Sequence, residues 1–225
     1  MAPLRSLLAA GLFLFSSVNA HFSLDTPKPL EGDNMNEELE PNAPCGGGVP
    51  DLSKNDLTDF HVGGDSVHWQ LGHPQANFLV RATLDSKAEG KWTQLFPIVQ
   101  QSFRGDFCEP VVTAPKEWAG KKGFISIACA APDGFLFQCA AVNFVSGSAD
   151  APKSCTNGTQ VTGSFVNDAS LTALLDGGSG TTTSPSPSQS TSTGAASALY
   201  IPSGSLPLGS LAVTAAMVVL GAALL

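Results

Sequence analysis

The chain has 225 residues, of which 43% are hydrophobic, and carries a formal net charge of −8 at pH 7. Its 19 acidic residues outnumber its 11 basic residues, which argues against nucleic acid as a partner, since that polyanion binds clustered Lys and Arg. The length is enough for one folded domain with a core of its own.

The N-terminal segment has the pattern of a secretory signal peptide. Arg5 precedes an apolar run over residues 7–15, and the small-residue site Val18-Asn19-Ala20 precedes His21. We therefore expect residues 1–20 to be removed, which makes His21 the mature N-terminus.

A histidine at a free N-terminus is a metal chelator, because its α-amino group and an imidazole nitrogen can hold the same ion. A second histidine would complete three nitrogen ligands, a set that favours Cu(II). On residue grounds alone His61, His68 and His73 all remain candidates for that second position. We expect His61 in a turn-like stretch and His68 on the surface of a strand.

The middle of the chain predicts an all-β fold. Alternation over residues 78–84 is typical of a strand packed against a core on one side. Further strands are predicted at Ser66–Leu71, Leu95–Gln100, Gly123–Cys129 and Phe135–Val145, and a short helix at Asp168–Leu175. Several short strands separated by Pro/Gly turns indicate a β-sandwich.

The five cysteines are Cys45, Cys108, Cys129, Cys139 and Cys155. In a secreted chain we expect disulfides, and an odd number allows at most two bridges. Cys129 lies in an apolar run, where a buried thiol is ordinary, and we predict that it is the unpaired one.

Two further polar features lie in the same region. Asn157 begins the sequon Asn157-Gly158-Thr159 and is a predicted glycosylation site on an exposed loop. Glu37, Glu38 and Glu40 form an acidic loop that we expect to face solvent.

The C-terminal part predicts a stalk and a lipid anchor. Residues 176–196 are rich in Ser, Thr and Pro and cannot bury enough apolar surface to fold. The small residues at 194–196, a polar spacer and an apolar end match a glycosylphosphatidylinositol (GPI) attachment signal, with Gly194 as the attachment residue and residues 197–225 removed. A membrane-spanning tail is the alternative, which Pro207 and the missing basic flank disfavour. We expect the domain of residues 21–175 at the outer face of the plasma membrane or in the wall.

Local patterns, taken in chain order, carry a resemblance to a known group: His21-Phe22-Ser23-Leu24 with Pro27, Pro44-Cys45-Gly46-Gly47, Phe60 through Gly72-His73-Pro74, Phe107-Cys108-Glu109-Pro110, and Asp133-Gly134 to Gln138-Cys139-Ala140. The chain resembles the lytic polysaccharide monooxygenase-like copper-binding proteins of fungal cell surfaces, which include the Bim-type copper acquisition factors.

The resemblance implies an immunoglobulin-like β-sandwich that holds one Cu(II) through the amine and ring of His21 and through His73. It also implies the disulfides Cys45–Cys139 and Cys108–Cys155. The group's pattern has a further aspartate ligand two residues after Cys139, where this chain has Ala141. Asp133, in the preceding turn, is the candidate replacement, although turn aspartates usually bond to their own backbone.

The function that the resemblance implies is copper accumulation at the cell surface, with transfer to a copper transporter and without polysaccharide cleavage. Wall sensing and hyphal fusion, attributed to relatives, leave no residue signature. An active copper-dependent polysaccharide monooxygenase is the first alternative. Such enzymes commonly place a tyrosine beside the copper, whereas the one tyrosine here, Tyr200, lies beyond Gly194. The second alternative is a structural wall or adhesion protein. The sequence does not decide whether wall polysaccharide is a partner.

Overall fold

The structure, a computed structural model, describes residues 21–30 and 38–176, which all belong to one compact unit. The predicted signal peptide, most of the stalk, Gly194 and the apolar tail lie outside these residues. Within the described part of the chain, no helix is long and apolar enough to cross a membrane.

The described residues form ten strands, in chain order β1 (Phe22–Thr26), β2 (Thr58–His61), β3 (Asp65–Leu71), β4 (Gln75–Thr83), β5 (Thr93–Gln94), β6 (Val99–Ser102), β7 (Gly105–Val112), β8 (Lys122–Ala131), β9 (Gly134–Val145) and β10 (Thr162–Phe165). A 3₁₀ turn covers Lys116–Trp118, and helix α1 (Ala169–Ala173) runs into a second 3₁₀ turn, Leu174–Asp176. One sheet has the order β1-β3-β7; the other has the order β10-β6-β4-β8-β9-β2, with β5 beside β4. Strand β2 is parallel to β9, and the other described pairs are antiparallel.

The two sheets pack face to face through one hydrophobic core. Trp69 of β3 is fully buried, with its ring centroid 4.7 Å from that of Phe78 in β4 and 4.8 Å from that of Phe107 in β7. Phe22 of β1 meets Phe78 edge-on at 5.7 Å. Inward-facing side chains of both sheets thus fill the space between them, which confirms the predicted β-sandwich.

The second face of the larger sheet is covered as well, so the prediction of a one-sided strand at residues 78–84 is wrong. Leu79 packs in a cluster that includes Leu171 of α1, and Arg81 is 1% exposed. The guanidinium carbon of Arg81 lies 4.3 Å from the Trp92 ring centroid, and Nη1 donates to the Leu174 carbonyl oxygen at 2.6 Å. Helix α1 and the 3₁₀ turn after it therefore cover this second face of the sheet, which the alternating pattern of residues 78–84 did not predict.

Most predicted elements are present, and the exceptions have local causes. Predicted strand 95–100 begins only at Val99, because Pro97 cannot donate a ladder hydrogen bond. His61, which we expected in a turn, is the last residue of β2. Five strands were not predicted: β1, β2, β5, β7 and β10. Helix α1 begins as predicted after Asp168, whose carboxylate accepts from the backbone N–H groups of Ser170 and Leu171.

Two disulfides are formed, Cys45–Cys139 and Cys108–Cys155. They are the pairs that the family resemblance implies. Cys129 is free and buried within β8, as predicted. The first bridge fastens the loop before β2 to β9, and the second fastens the segment before β10 to β7.

Candidate metal centre

The register of two strands brings His21 to His73. Strand β1 runs antiparallel to β3 with Phe22 opposite Leu71, and the backbone N–H of Gly72 donates to the carbonyl oxygen of His21 at 2.7 Å. His21 therefore lies beside the residue that precedes His73. Residues far apart in the chain become neighbours because both flank the same end of one strand pair.

Gln138 of β9 holds the other edge of β1. Its side-chain oxygen accepts from the backbone N–H of Leu24 at 2.7 Å, and its amide donates to the carbonyl oxygen of Phe22 at 2.9 Å. These bonds satisfy backbone groups that an edge strand would otherwise leave without a strand partner. The start of β1 is consequently fixed from both sides.

His73 is 6% exposed, and its Nε2 atom is buried without a hydrogen bond to the described residues. Oδ1 of Asp133, an exposed residue, lies 3.2 Å from that nitrogen. A buried polar atom without a hydrogen bond needs a specific explanation, and a bound metal is one. The arrangement therefore fits a metal held by Nε2 of His73 with the Asp133 carboxylate beside it.

Burial favours the neutral form of the His73 ring. Burial lowers the pKa of His73 below its ordinary value of 6.5, the Asp133 carboxylate opposes this, and positive charge on His21 and Arg104 lowers it further. A neutral imidazole has a lone pair for a metal ion, whereas the protonated ring does not.

The β6–β7 turn supports the His73 loop. The indole N–H of Trp69 donates to Gln101 at 2.9 Å, and the Gln101 amide donates to the carbonyl oxygen of Phe103 at 3.1 Å. The backbone N–H of Phe103 in turn donates to the carbonyl oxygen of Pro74 at 2.7 Å. A buried polar network thus ties the loop after His73 to the core.

Glu40 does not face solvent, so that prediction is wrong. It is 4% exposed, its Oε2 atom lies 3.8 Å from Nε2 of His21, and its Oε1 atom accepts from the Gln138 amide at 3.1 Å. The loop carrying Glu40 is drawn onto β9, where the backbone N–H of Phe137 donates to the Glu40 carbonyl oxygen at 2.9 Å.

The sequence did not assign Glu40 or Gln138 to the surroundings of His21. The signal that could have found them is the bridge between Cys45 and Cys139. Gln138 directly precedes Cys139, and Glu40 lies shortly before Cys45, so the disulfide brings the two polar residues to the same place.

The other histidines have different partners. Nδ1 of His61 lies 2.8 Å from Oδ2 of Asp65. His68 lies between Oδ2 of Asp25, 3.4 Å from Nδ1, and Oδ1 of Asp106, 3.7 Å from Nε2. The His68 cluster has metal-ligand atoms within 4.8 Å of one another, but exposed carboxylates of this kind are common without an ion, and we assign it no metal.

Ala141 lies on the face of β9 that points away from Gln138. It packs in a buried cluster with Cys45, Trp92 and Cys139. Because side chains alternate along a strand, a carboxylate at position 141 would enter that cluster rather than approach His21. The alanine therefore removes no acidic group from the His21 side of the strand.

The predicted glycosylation residue, Asn157, is exposed, and its side-chain oxygen accepts from the backbone N–H of Cys108 at 2.8 Å. The sequon thus lies beside the second disulfide. Glycosylation itself stays a prediction.

Comparison with known proteins identifies the family. A family model described as copper acquisition factor BIM1-like matches residues 19–160. The chain belongs to the BIM1-like copper acquisition factor family. The matched residues include His21, His73 and Asp133. Because the family consists of copper acquisition factors, copper is the metal whose ligand preferences should be compared with these residues. The nitrogen donors of two histidines, with a carboxylate nearby, suit Cu(II). A search among curated proteins finds no match to the chain.

Proposed function

We propose that this BIM1-like protein captures Cu(II) at the cell surface through His21 and His73 and delivers it for uptake. The observation that carries the proposal is the β1–β3 register, which brings these histidines together where the Gly72 N–H meets the His21 carbonyl oxygen. Copper is the cargo of the site rather than a reagent. One ion per domain is expected because the described chain offers one such pair.

The proposed ligands are the α-amine and ring of His21, Nε2 of His73 and the carboxylate of Asp133. The amine becomes available only after cleavage between Ala20 and His21. The three nitrogens select copper over other divalent first-row ions. The buried, unbonded Nε2 atom of His73 and its 3.2 Å approach to Asp133 support the last two ligands.

We further propose that the domain does not cleave polysaccharide. Residues 21–199 contain no tyrosine, since the single tyrosine of the chain is Tyr200. A GPI anchor at Gly194, behind a stalk, would keep the copper-loaded domain near a copper transporter in the plasma membrane. Binding of wall polysaccharide and a role in wall sensing or hyphal fusion are not needed for this function.

The test compares copper binding by two forms of the secreted protein. One starts at His21, and the other has one alanine inserted before His21, with both N-termini checked by mass spectrometry because the insertion also offers a new cleavage point. We expect tight one-to-one Cu(II) binding by the first form and a loss of at least about tenfold in affinity by the second, because extension removes the chelating amine from His21.

The alternatives predict other results. Unchanged binding after the insertion would rule out the amine as a ligand, and no binding by either form would favour a structural wall protein. Peroxide-driven release of oxidised sugars from wall polysaccharides by the copper-loaded protein would establish the monooxygenase alternative instead.

A further inference from the structure

Glu40 is a buried acidic residue that lies beside the proposed copper site and is not one of the proposed metal ligands. Its carboxylate is almost completely buried, with Oε1 bonded to the Gln138 amide and Oε2 3.8 Å from Nε2 of His21. Taking a carboxylate out of water is unfavourable unless charged or hydrogen-bonding groups interact with it. The carboxylate lies between the Gln138 amide and the His21 ring, where it can act on the orientation of that ring.

The backbone around Glu40 holds the carboxylate in position. The Phe137 N–H bonds to the Glu40 carbonyl oxygen, and the Cys45–Cys139 disulfide fastens the same loop to β9. Gly46 has φ +65°, and a Cβ atom there would lie 1.9 Å from the Phe137 carbonyl oxygen, so only glycine permits this close approach. The loop is thus seated on the strand that also supplies Gln138.

The chemistry of an N-terminal histidine decides which ring nitrogen meets Glu40. Nδ1 is the ring nitrogen close to the backbone, so a chelate with the α-amine forms through Nδ1. Nε2 then carries the proton and points away from the ion. Nε2 is the atom that lies 3.8 Å from Oε2 of Glu40, within reach of a small closing movement.

We propose that Glu40 is the positioning residue of His21: its carboxylate accepts the Nε2–H of the copper-bound ring. The inference rests on the proposed copper function and adds a residue to it. Such carboxylate–histidine–metal arrangements fix the tautomer and orientation of the ring and raise its basicity as a ligand. Asp133 and Glu40 then have separate tasks, the first beside Nε2 of His73 and the second behind the His21 ring.

The charge of Glu40 has a redox consequence. A negative charge close to the site stabilises Cu(II) more than Cu(I), because the higher charge on the metal interacts more strongly with it. Neutralising Glu40 should therefore raise the reduction potential of the bound copper as well as weaken Cu(II) binding.

The experiment uses the processed protein obtained by secretion of the complete chain, as wild type, Glu40→Gln and Glu38→Gln. Glu38 is the matched control, since it is an exposed acidic residue of the same loop. Cu(II) affinity, the copper reduction potential and pulsed electron paramagnetic resonance of the remote imidazole nitrogens are measured on each form. The last measurement reports hydrogen bonding at the ring nitrogen that does not bind copper.

For Glu40→Gln we expect Cu(II) affinity reduced about tenfold, a higher reduction potential and a changed signal from one remote nitrogen. Glu38→Gln should match the wild type in all three measurements. Wild-type behaviour of Glu40→Gln would overturn the inference while leaving the copper function intact. A change of the directly bound donor set in Glu40→Gln would also overturn it, because Glu40 would then be a ligand itself.

Failure of the wild type to bind copper would instead refute the proposed function, and the inference with it. Thermal unfolding monitors whether Glu40→Gln folds. If it does not, the wild-type spectrum decides: one remote nitrogen must show the coupling of an imidazole bonded to a carboxylate, and two nitrogens with the coupling of water-exposed imidazole would contradict the proposal.

Discussion

Gln138 of β9 donates through its side-chain amide to the carbonyl oxygen of Phe22 in β1 at 2.9 Å. A side chain of the larger sheet thereby completes the edge of the smaller one. The same side chain accepts from the Leu24 N–H and donates to Glu40, so it joins the sheet edge to the acidic loop. His21, the proposed copper ligand, directly precedes this supported segment.

The first prediction concerns this bridge. Gln138→Leu keeps a similar side-chain size but leaves the Phe22 carbonyl and the Leu24 N–H buried without partners. Because each unpaired buried group costs about 1–3 kcal/mol, we expect the free energy of unfolding to fall by about 3 kcal/mol. Urea denaturation measures it. The control Gln70→Leu, at an exposed position of β3, should change stability by less than about 0.5 kcal/mol. Equal stability of both variants would show that the bridge is dispensable.

The second prediction concerns the hydrogen bond between Gly72 and His21. Gly72→Pro removes the N–H that bonds to the His21 carbonyl oxygen, and Gly72→Ala keeps it. We expect Cu(II) affinity to fall at least about tenfold in the proline variant, because His21 then loses its fixed distance from His73. Calorimetry on the processed protein measures this loss. Equal copper binding by the proline and alanine variants would contradict the role given to this bond.

The sequence allowed much of this architecture to be predicted, because strongly alternating or apolar segments dominate β3, β4, β8 and β9. Strand β1 escaped prediction, since it is short and is stabilised by partners distant in the chain, Gly72 and Gln138. The residues of β1 themselves give no indication of partners that lie so far away in the sequence.

Some residues of the candidate site were likewise predictable from the sequence, and others were not. His21 could be proposed as a ligand from the cleavage pattern and His73 from its motif, because each has a local signature. Glu40 lies in an acidic stretch that normally faces solvent, and its burial follows from the path of the loop onto β9. Only the three-dimensional path of the loop distinguishes it from its exposed neighbour Glu38.

The third prediction is the titration of His73 in the copper-free protein. Burial lowers the pKa of His73 below 6.5, and the Asp133 carboxylate partly offsets this effect. Nuclear magnetic resonance should show a midpoint below 6.5 in the wild type and a still lower midpoint in Asp133→Asn. A midpoint that rises in Asp133→Asn would contradict the proximity of these two groups.

The stability of the copper-free protein should follow the same titration. The unfolded chain binds the His73 proton at a higher pH than the folded chain does. Stability contributed by neutral His73 is therefore present above pH 6.5 and is lost as the pH falls through that value towards the folded pKa. A His73→Gln variant should lose part of this slope in urea denaturation between pH 7.5 and 5. An unchanged slope would assign the dependence to other groups.

The last prediction concerns the thiol of Cys129. Its pKa is raised well above 9.0 by complete burial, with further contributions from the charges of Glu40 and Asp133. Only the thiolate is nucleophilic or binds copper strongly, so the neutral thiol does not compete with the proposed nitrogen ligands for Cu(II). We expect no reaction with a disulfide reagent at pH 8 in the folded protein, and reaction of one thiol after unfolding with the two disulfides intact.

Cys129→Ala is the control for this measurement and should show no reactive thiol in either state. Rapid labelling of the folded wild type would mean that the thiol reaches solvent or a thiolate forms there, either of which contradicts its position inside the core. The same result would make Cys129 a competitor for copper, because thiolate sulfur is a strong ligand for Cu(I). A buried, protonated thiol is thus a condition for a site that holds copper through nitrogen and oxygen alone.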